Sequence, residues 1–112
     1  MNSRNKGNRN QRKAIEYFES SGYLVSKAER TGKFEKEKDL FGLFDLACIK
    51  KGEMLLVQVT TNRPHTHKLY KDFSKDYHNN GVEFWQIVWY DRKGWRKFLY
   101  KLGNAIEYDE RK

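Results

Sequence analysis

One cysteine, one proline and no long apolar run are the first constraints in this sequence. A lone Cys48 cannot close an internal disulfide, so no disulfide framework holds the chain and a reducing compartment is the expected setting. Pro64 interrupts regular structure at a single place, the loop "NRPH". No apolar stretch approaches the roughly 18 residues that cross a bilayer, and the N-terminus lacks the hydrophobic region of a signal peptide. The expectation is an intracellular protein without a membrane partner, in the cytoplasm, or in the host cytoplasm if viral. Acid is scarce as well. Fifteen Asp and Glu face 23 Lys and Arg, a net charge of +8 with an isoelectric point near 9.6.

That surplus favours polyanionic partners. Arg4, Lys6, Arg9, Arg12 and Lys13 cluster within residues 1–13 with no acid among them. Basic groups that neutralise phosphates release counterions, so binding through them should weaken steeply with salt. At 112 residues the chain is one domain by length, and its 15% aromatic content is enough to build a core. The expected division is a flexible basic arm over 1–8, a single domain over 9–103 and a charged tail over 104–112.

Ala14, Ile15 and Phe18 share one helical face and predict a helix from Arg9 to Ser21, closed by Ser20-Ser21-Gly22. "YLVSKAER" (23–30) reads as a strand and "TGKFEKEK" as a charged loop. "LFDLACIK" (43–50) and "EMLLVQVTT" (53–61) read as a hairpin around Lys51-Gly52, apolar enough to be covered on both faces. Thr66 is a candidate N-cap for a helix from His67 to about His78, with Leu69, Tyr70, Phe73 and Tyr77 as its stripe. "EFWQIVWYD" (83–91) and "GWRKFLYKLG" (94–103) complete the strands. The order αβββαββ predicts an α/β fold with a mixed central sheet flanked by helices.

Strand alternation puts Gln58 and Thr60 on one face with Leu56, and Val57 and Val59 on the other. An even-numbered turn pairs residue 45 with 58, whereas a three-residue turn does not. In the even register an anionic and an amide oxygen lie side by side, the kind of ligands that hard cations prefer. Polar groups inside apolar strands cost free energy unless they are paired, and both strands carry one here.

The element order and this hairpin resemble the PD-(D/E)xK nuclease superfamily, in particular archaeal-type Holliday junction resolvases and related phage nucleases. The resemblance implies a restriction-endonuclease-like core. It also implies DNA, including branched DNA, as substrate, Mg²⁺ or Mn²⁺ as cofactor, and a homodimer. The superfamily's Asp falls on Asp45 in "FDLA", and its Glu-x-Lys falls on Gln58-Val59-Thr60. "KGNRNQR" resembles the resolvases' start, where Gln11 takes the place of an acidic residue. "ER…KDLFGLFDLACI…LLVQVTTNR" (29–63) is similar to phage and bacterial proteins with a "DLFG…D…QVT" pattern.

The departures at 58 and 60 remove one negative and one positive charge. Asp39 or Glu29 could restore the first beside Asp45 and Gln58. Lys68, or His65 and His67, could restore the second. Metal ligands are then Asp45, Gln58 and Asp39. Arg63, His65, His67 and Lys68 join the basic cluster as candidate nucleic-acid contacts, with a solvent-exposed polar loop as the plain alternative for "PHTHK". Two histidines without a further ligand make a poor structural zinc site.

The tryptophans Trp85, Trp89 and Trp95 read as core or dimer interface ahead of a base-stacking platform. Cys48 reads as a buried strand residue. Loss of the Glu and Lys leaves two further readings open: a catalytically inert nucleic-acid binder of the same fold, or a phage-type protein-interaction factor.

Overall fold

The computed structural model describes residues 3–28 and 40–109, with the backbone alone for 3–8 and 109. The elements run α1 (Ser3–Ser20), β1 (Leu24–Lys27), β2 (Leu46–Lys50), β3 (Glu53–Thr61), α2 (His67–Asp76), β4 (Val82–Tyr90), β5 (Gly94–Lys101) and β6 (Asn104–Asp109). The strands form one six-stranded sheet in sequence order. Only β3 and β4 pair in parallel, and the other neighbours are antiparallel. The parallel step is where α2 crosses over, as a parallel connection requires.

Each sheet face carries its own core because strand side chains alternate. On one side Ala14 and Phe18 of α1 pack on Leu46, Cys48, Leu55, Val57 and Ile87. On the other, Tyr70 of α2 packs with Phe44, Leu56, Phe84, Val88, Phe98 and Tyr100. The mixed α/β sheet with helices on both faces is as expected. Cys48 is fully buried, and burial pushes its thiol up to about 12, far from a reactive thiolate.

Four elements differ from the sequence reading. The helix α1 begins at Ser3, so residues 3–8 of the supposed arm are helical. The apolar stripe that signals burial starts only further along, so the first turns carried no periodic mark. Residues 104–109 are not a tail but the edge strand β6. Leu102 and Gly103 both take positive φ, 51° and 87°, which closes a tight two-residue hairpin between Lys101 and Asn104. Its charged residues protect a sheet edge, a pattern that reads as a solvated tail in sequence.

The strand expected to begin at residue 43 begins at Leu46, because Leu40 to Phe44 fold into a tight turn with Phe41 and Gly42 at positive φ. In α2 the buried positions are Tyr70 and Ser74, while Leu69 and Tyr77 are exposed. Polar anchors rotate this helix. Ser74 Oγ accepts the Gly103 amide at 3.0 Å, and His67 bonds to Tyr100. Thr66 takes the N-cap position without a side-chain capping hydrogen bond.

Phe44 is wholly buried, with ring centroids of Tyr70, Phe73 and Phe84 at 5.7, 5.4 and 5.8 Å. Phe44→Ala is expected to cost about 3–5 kcal/mol in denaturant unfolding. The exposed Leu24 changed to Ala should stay within about 0.5 kcal/mol of the parent.

Candidate functional site

The hairpin takes the even register. Lys50 pairs with Glu53 across the Lys51-Gly52 turn, and the ladder runs as far as Leu46 opposite Val57, which leaves Asp45 at its end. Asp45 lies one residue before β2 and extends the ladder in its own way. Its amide donates to the Val57 carbonyl at 2.8 Å, and its carbonyl accepts from Ala28 at 2.7 Å. Its Oδ2 accepts the Val59 amide at 3.1 Å. The carboxylate therefore takes a place in the sheet that a backbone carbonyl would otherwise fill.

Gln58 and Thr60 are buried on the α2 face, 5% and 8% exposed. Among the described residues, Gln58 Oε1 and Thr60 Oγ1 have no hydrogen-bond partner. A buried acceptor left unpaired costs about 1–3 kcal/mol. The same face solves the same problem completely one strand away. Gln86 lies beside Gln58 in the β3–β4 pair and is fully buried. Its Oε1 accepts the His65 amide, and its Nε2 donates to Tyr100 Oη at 2.8 Å. Tyr100 Oη in turn meets His67 Nδ1 at 2.6 Å. Burial pushes the Tyr100 hydroxyl up to about 12, which keeps it a donor.

Gln86 and Tyr100 were missed as site residues in the sequence, and Tyr70 was read only as part of the α2 stripe. Gln86 in "EFWQIVWY" interrupts an apolar strand just as Gln58 does in "LLVQVT", and that parallel was the available signal. Asn10 was also missed. It is 2% exposed on the inner stripe of α1 with Ala14 and Phe18, and its Nδ2 donates to Thr61 Oγ1 at 2.8 Å. Asn10, rather than Gln11, brings α1 to the end of β3.

The remaining candidates separate. Glu29 and Asp39 lie outside the described residues, as do the side chains of Arg4 and Lys6. Lys68 is exposed and salt-bridged to Asp72 at 2.8 Å, and that hydrogen bond raises its pKa. Arg9, Arg12, Arg63 and His65 are exposed, whereas His67 is half-buried. Lys13 places its ammonium 4.0 Å from the centroid of Trp89. Trp89 packs edge-on against Trp95 at 5.1 Å, and Trp85 lies 5.6 Å from Tyr108, so the tryptophans pack within the chain.

The β4–β5 turn adds Arg92 and Lys93, both exposed, beside the end of β3. Asn62 ties the two together. Its Nδ2 donates to Asp91 Oδ2 and its Oδ1 accepts the Asp91 amide, each at 3.0 Å.

Asp45, Gln58 and Thr60 offer oxygens at the hairpin end, which suits a hard cation such as Mg²⁺ or Mn²⁺. Asp45 supplies a carboxylate, and the described residues hold no group of three or more His, Cys, Asp or Glu that could bind a metal alone. The set fits a cation that keeps water and takes part of its coordination from a substrate phosphate. No helix among the described residues is long and apolar enough to cross a membrane.

No family model and no curated protein matches this sequence. Among solved structures, the chain is similar to Hjc, a Holliday junction resolvase from the archaeal hyperthermophile Archaeoglobus fulgidus. The TM-score is 0.59 at 15% identity, over 93% of this chain and 88% of that one. The fold is the nuclease-like fold of Hjc. The likeness at this identity is one of architecture, and the chemistry has to be argued from the residues.

His67 supplies a pH test of the local geometry. Burial lowers its pKa, and Lys71 and Arg96 act in the same direction against Glu107. The unfolded chain protonates this group near its ordinary value of about 6.5, and the folded chain does so only at lower pH. Its stabilising contribution is therefore complete above about pH 6.5 and is lost as pH falls through the lowered folded value. Between about pH 7.5 and about pH 5 the parent should lose more thermal stability than His67→Gln. Equal losses would show that His67 does not stay neutral in the fold.

Proposed function

We propose that this protein is a metal-dependent endonuclease of the PD-(D/E)xK type, acting on DNA, with branched or Holliday-junction DNA as its substrate. One observation carries the reading. At the hairpin position where this superfamily builds its site, the Asp45 carboxylate accepts the Val59 amide, and Val59 lies between Gln58 and Thr60, whose buried oxygens no described protein group satisfies. A fold tolerates such a cost where the groups serve something else.

In this reading Asp45 is the anionic ligand, Gln58 a neutral oxygen ligand, and Asp39 or Glu29 the second carboxylate. Mg²⁺ or Mn²⁺ would supply charge stabilisation at the phosphate. Thr60 lines the site without the usual cation. Lys68 would need to exchange Asp72 for substrate to serve as that cation. The basic residues Arg4, Lys6, Arg9, Arg12, Lys13 and Arg63 would hold the DNA backbone, joined by Arg92 and Lys93. The protein would act inside the cell, as a homodimer matched to a branched substrate.

A second reading keeps the fold and the DNA contacts without catalysis. Two engagements favour it: the Asp45 carboxylate already accepts the Val59 amide, and Lys68 is paired with Asp72.

A panel of four-way junction, flap, linear and single-stranded DNA, each with Mg²⁺ and with Mn²⁺, separates the two. Junction nicking is expected, reduced at least about 100-fold in Asp45→Ala, where catalytic electrostatics are lost. Salt-sensitive junction binding with no cleavage of any substrate would instead establish the inert binder.

A further inference from the structure

His65 stands beside the hairpin end in a defined orientation. Its amide donates to Gln86 Oε1, and its carbonyl accepts from Gln86 Nε2 at 3.4 Å. Gln86 is fully buried and sits directly beside Gln58. On the ring side, His65 Nδ1 lies 3.4 Å from Tyr70 Oη. Tyr70 donates its hydroxyl proton to the Leu43 carbonyl at 3.0 Å, two residues before Asp45. The imidazole is thus bracketed between the neighbour of Gln58 and the segment leading into Asp45.

Hydrogen-bond direction sets the tautomer. A carbonyl can only accept, so the single proton of Tyr70 is committed to Leu43. Tyr70 Oη then receives a hydrogen bond from His65, whose proton sits on Nδ1 and whose Nε2 carries a lone pair. His67 is the reverse. Tyr100 Oη accepts from Gln86 Nε2, and its own buried proton has His67 Nδ1 as the one described acceptor, which puts the His67 proton on Nε2. The two histidines of "PHTHK" have opposite tautomers, and the exposed one presents a proton acceptor.

We propose that His65 is a catalytic residue of this site, the general base for the water that attacks the phosphodiester. The proposal rests on the nuclease reading. In the step, the water oxygen forms a bond to phosphorus while a water proton passes to His65 Nε2. The phosphorus–oxygen bond to the leaving sugar breaks, and its electron pair stays on that oxygen, which takes a proton from solvent. Tyr70 orients the ring and receives the Nδ1 proton's hydrogen bond as the imidazolium forms, the usual pairing of a base with an orienting partner. A proton acceptor here answers the loss at Thr60 without requiring another lysine.

Two measurements test this. Long-range ¹H–¹⁵N spectra of the full chain at neutral pH, assigned with His65→Gln and His67→Gln, should show Nδ1–H for His65 and Nε2–H for His67. Single-turnover cleavage of junction DNA with Mg²⁺ should fall about 100-fold in His65→Ala, with unchanged DNA affinity and partial rescue by added imidazole. An Nε2–H tautomer for His65, an undiminished rate, or a rate loss matched by an affinity loss would each overturn the role of His65 alone. A parent protein that cuts no substrate would overturn the nuclease reading, and this role with it.

Discussion

The hydrogen bond from the Val59 amide to the Asp45 carboxylate is the contact on which the rest of the structure depends. β2 starts only at Leu46, so beyond that point β3 runs past the regular ladder of its neighbour. Asp45 fills the gap with its side chain, while its own backbone bonds to Val57 and Ala28. One residue thereby joins the exit of β1, the start of β2 and the end of β3. Its register sets Gln58 in place. The parallel β3–β4 pairing then sets Gln86 beside Gln58, and Gln86 draws Tyr100 and the His65 loop to the same end of the sheet.

Along this line of polar residues the free-energy accounts of two strands differ. Gln86 is embedded in a network in which every contact is a hydrogen bond between defined donors and acceptors. Gln58 Oε1 and Thr60 Oγ1 remain unpaired among the described residues. At about 1–3 kcal/mol each, they remove a large share of the 5–15 kcal/mol by which a typical domain is stable. An apolar pair of similar shape would pack there without that cost. The contrast within one sheet face is the physical reason to regard the β3 end as a place kept polar for chemistry.

Much of the fold could be read in the sequence because its signals were local. The two apolar faces of "LLVQVTT" and "EFWQIVWY", the Lys51-Gly52 turn and the even register of the β2–β3 hairpin follow from alternation and turn length. What was hidden depended on contacts distant in sequence. The strand β6 needs β5 as its template, and its charges conceal it. The rotation of α2 follows from Ser74 meeting Gly103 and His67 meeting Tyr100, which no helical periodicity reveals. Asn10 was indistinguishable from other polar residues of a basic segment until Thr61 received its hydrogen bond. Glu29 and Asp39, the expected second carboxylates, fall outside the described residues.

On the proposed nuclease reading the hairpin end is polar for function and at the expense of stability. The most direct measurement is the unfolding free energy and the junction-DNA cleavage of the double variant Gln58→Leu/Thr60→Val. This variant should be at least as stable as the parent, by up to about 2 kcal/mol, and should no longer cut junction DNA. A double variant destabilised by about 2 kcal/mol or more, yet cutting junction DNA at the parental rate, would contradict it.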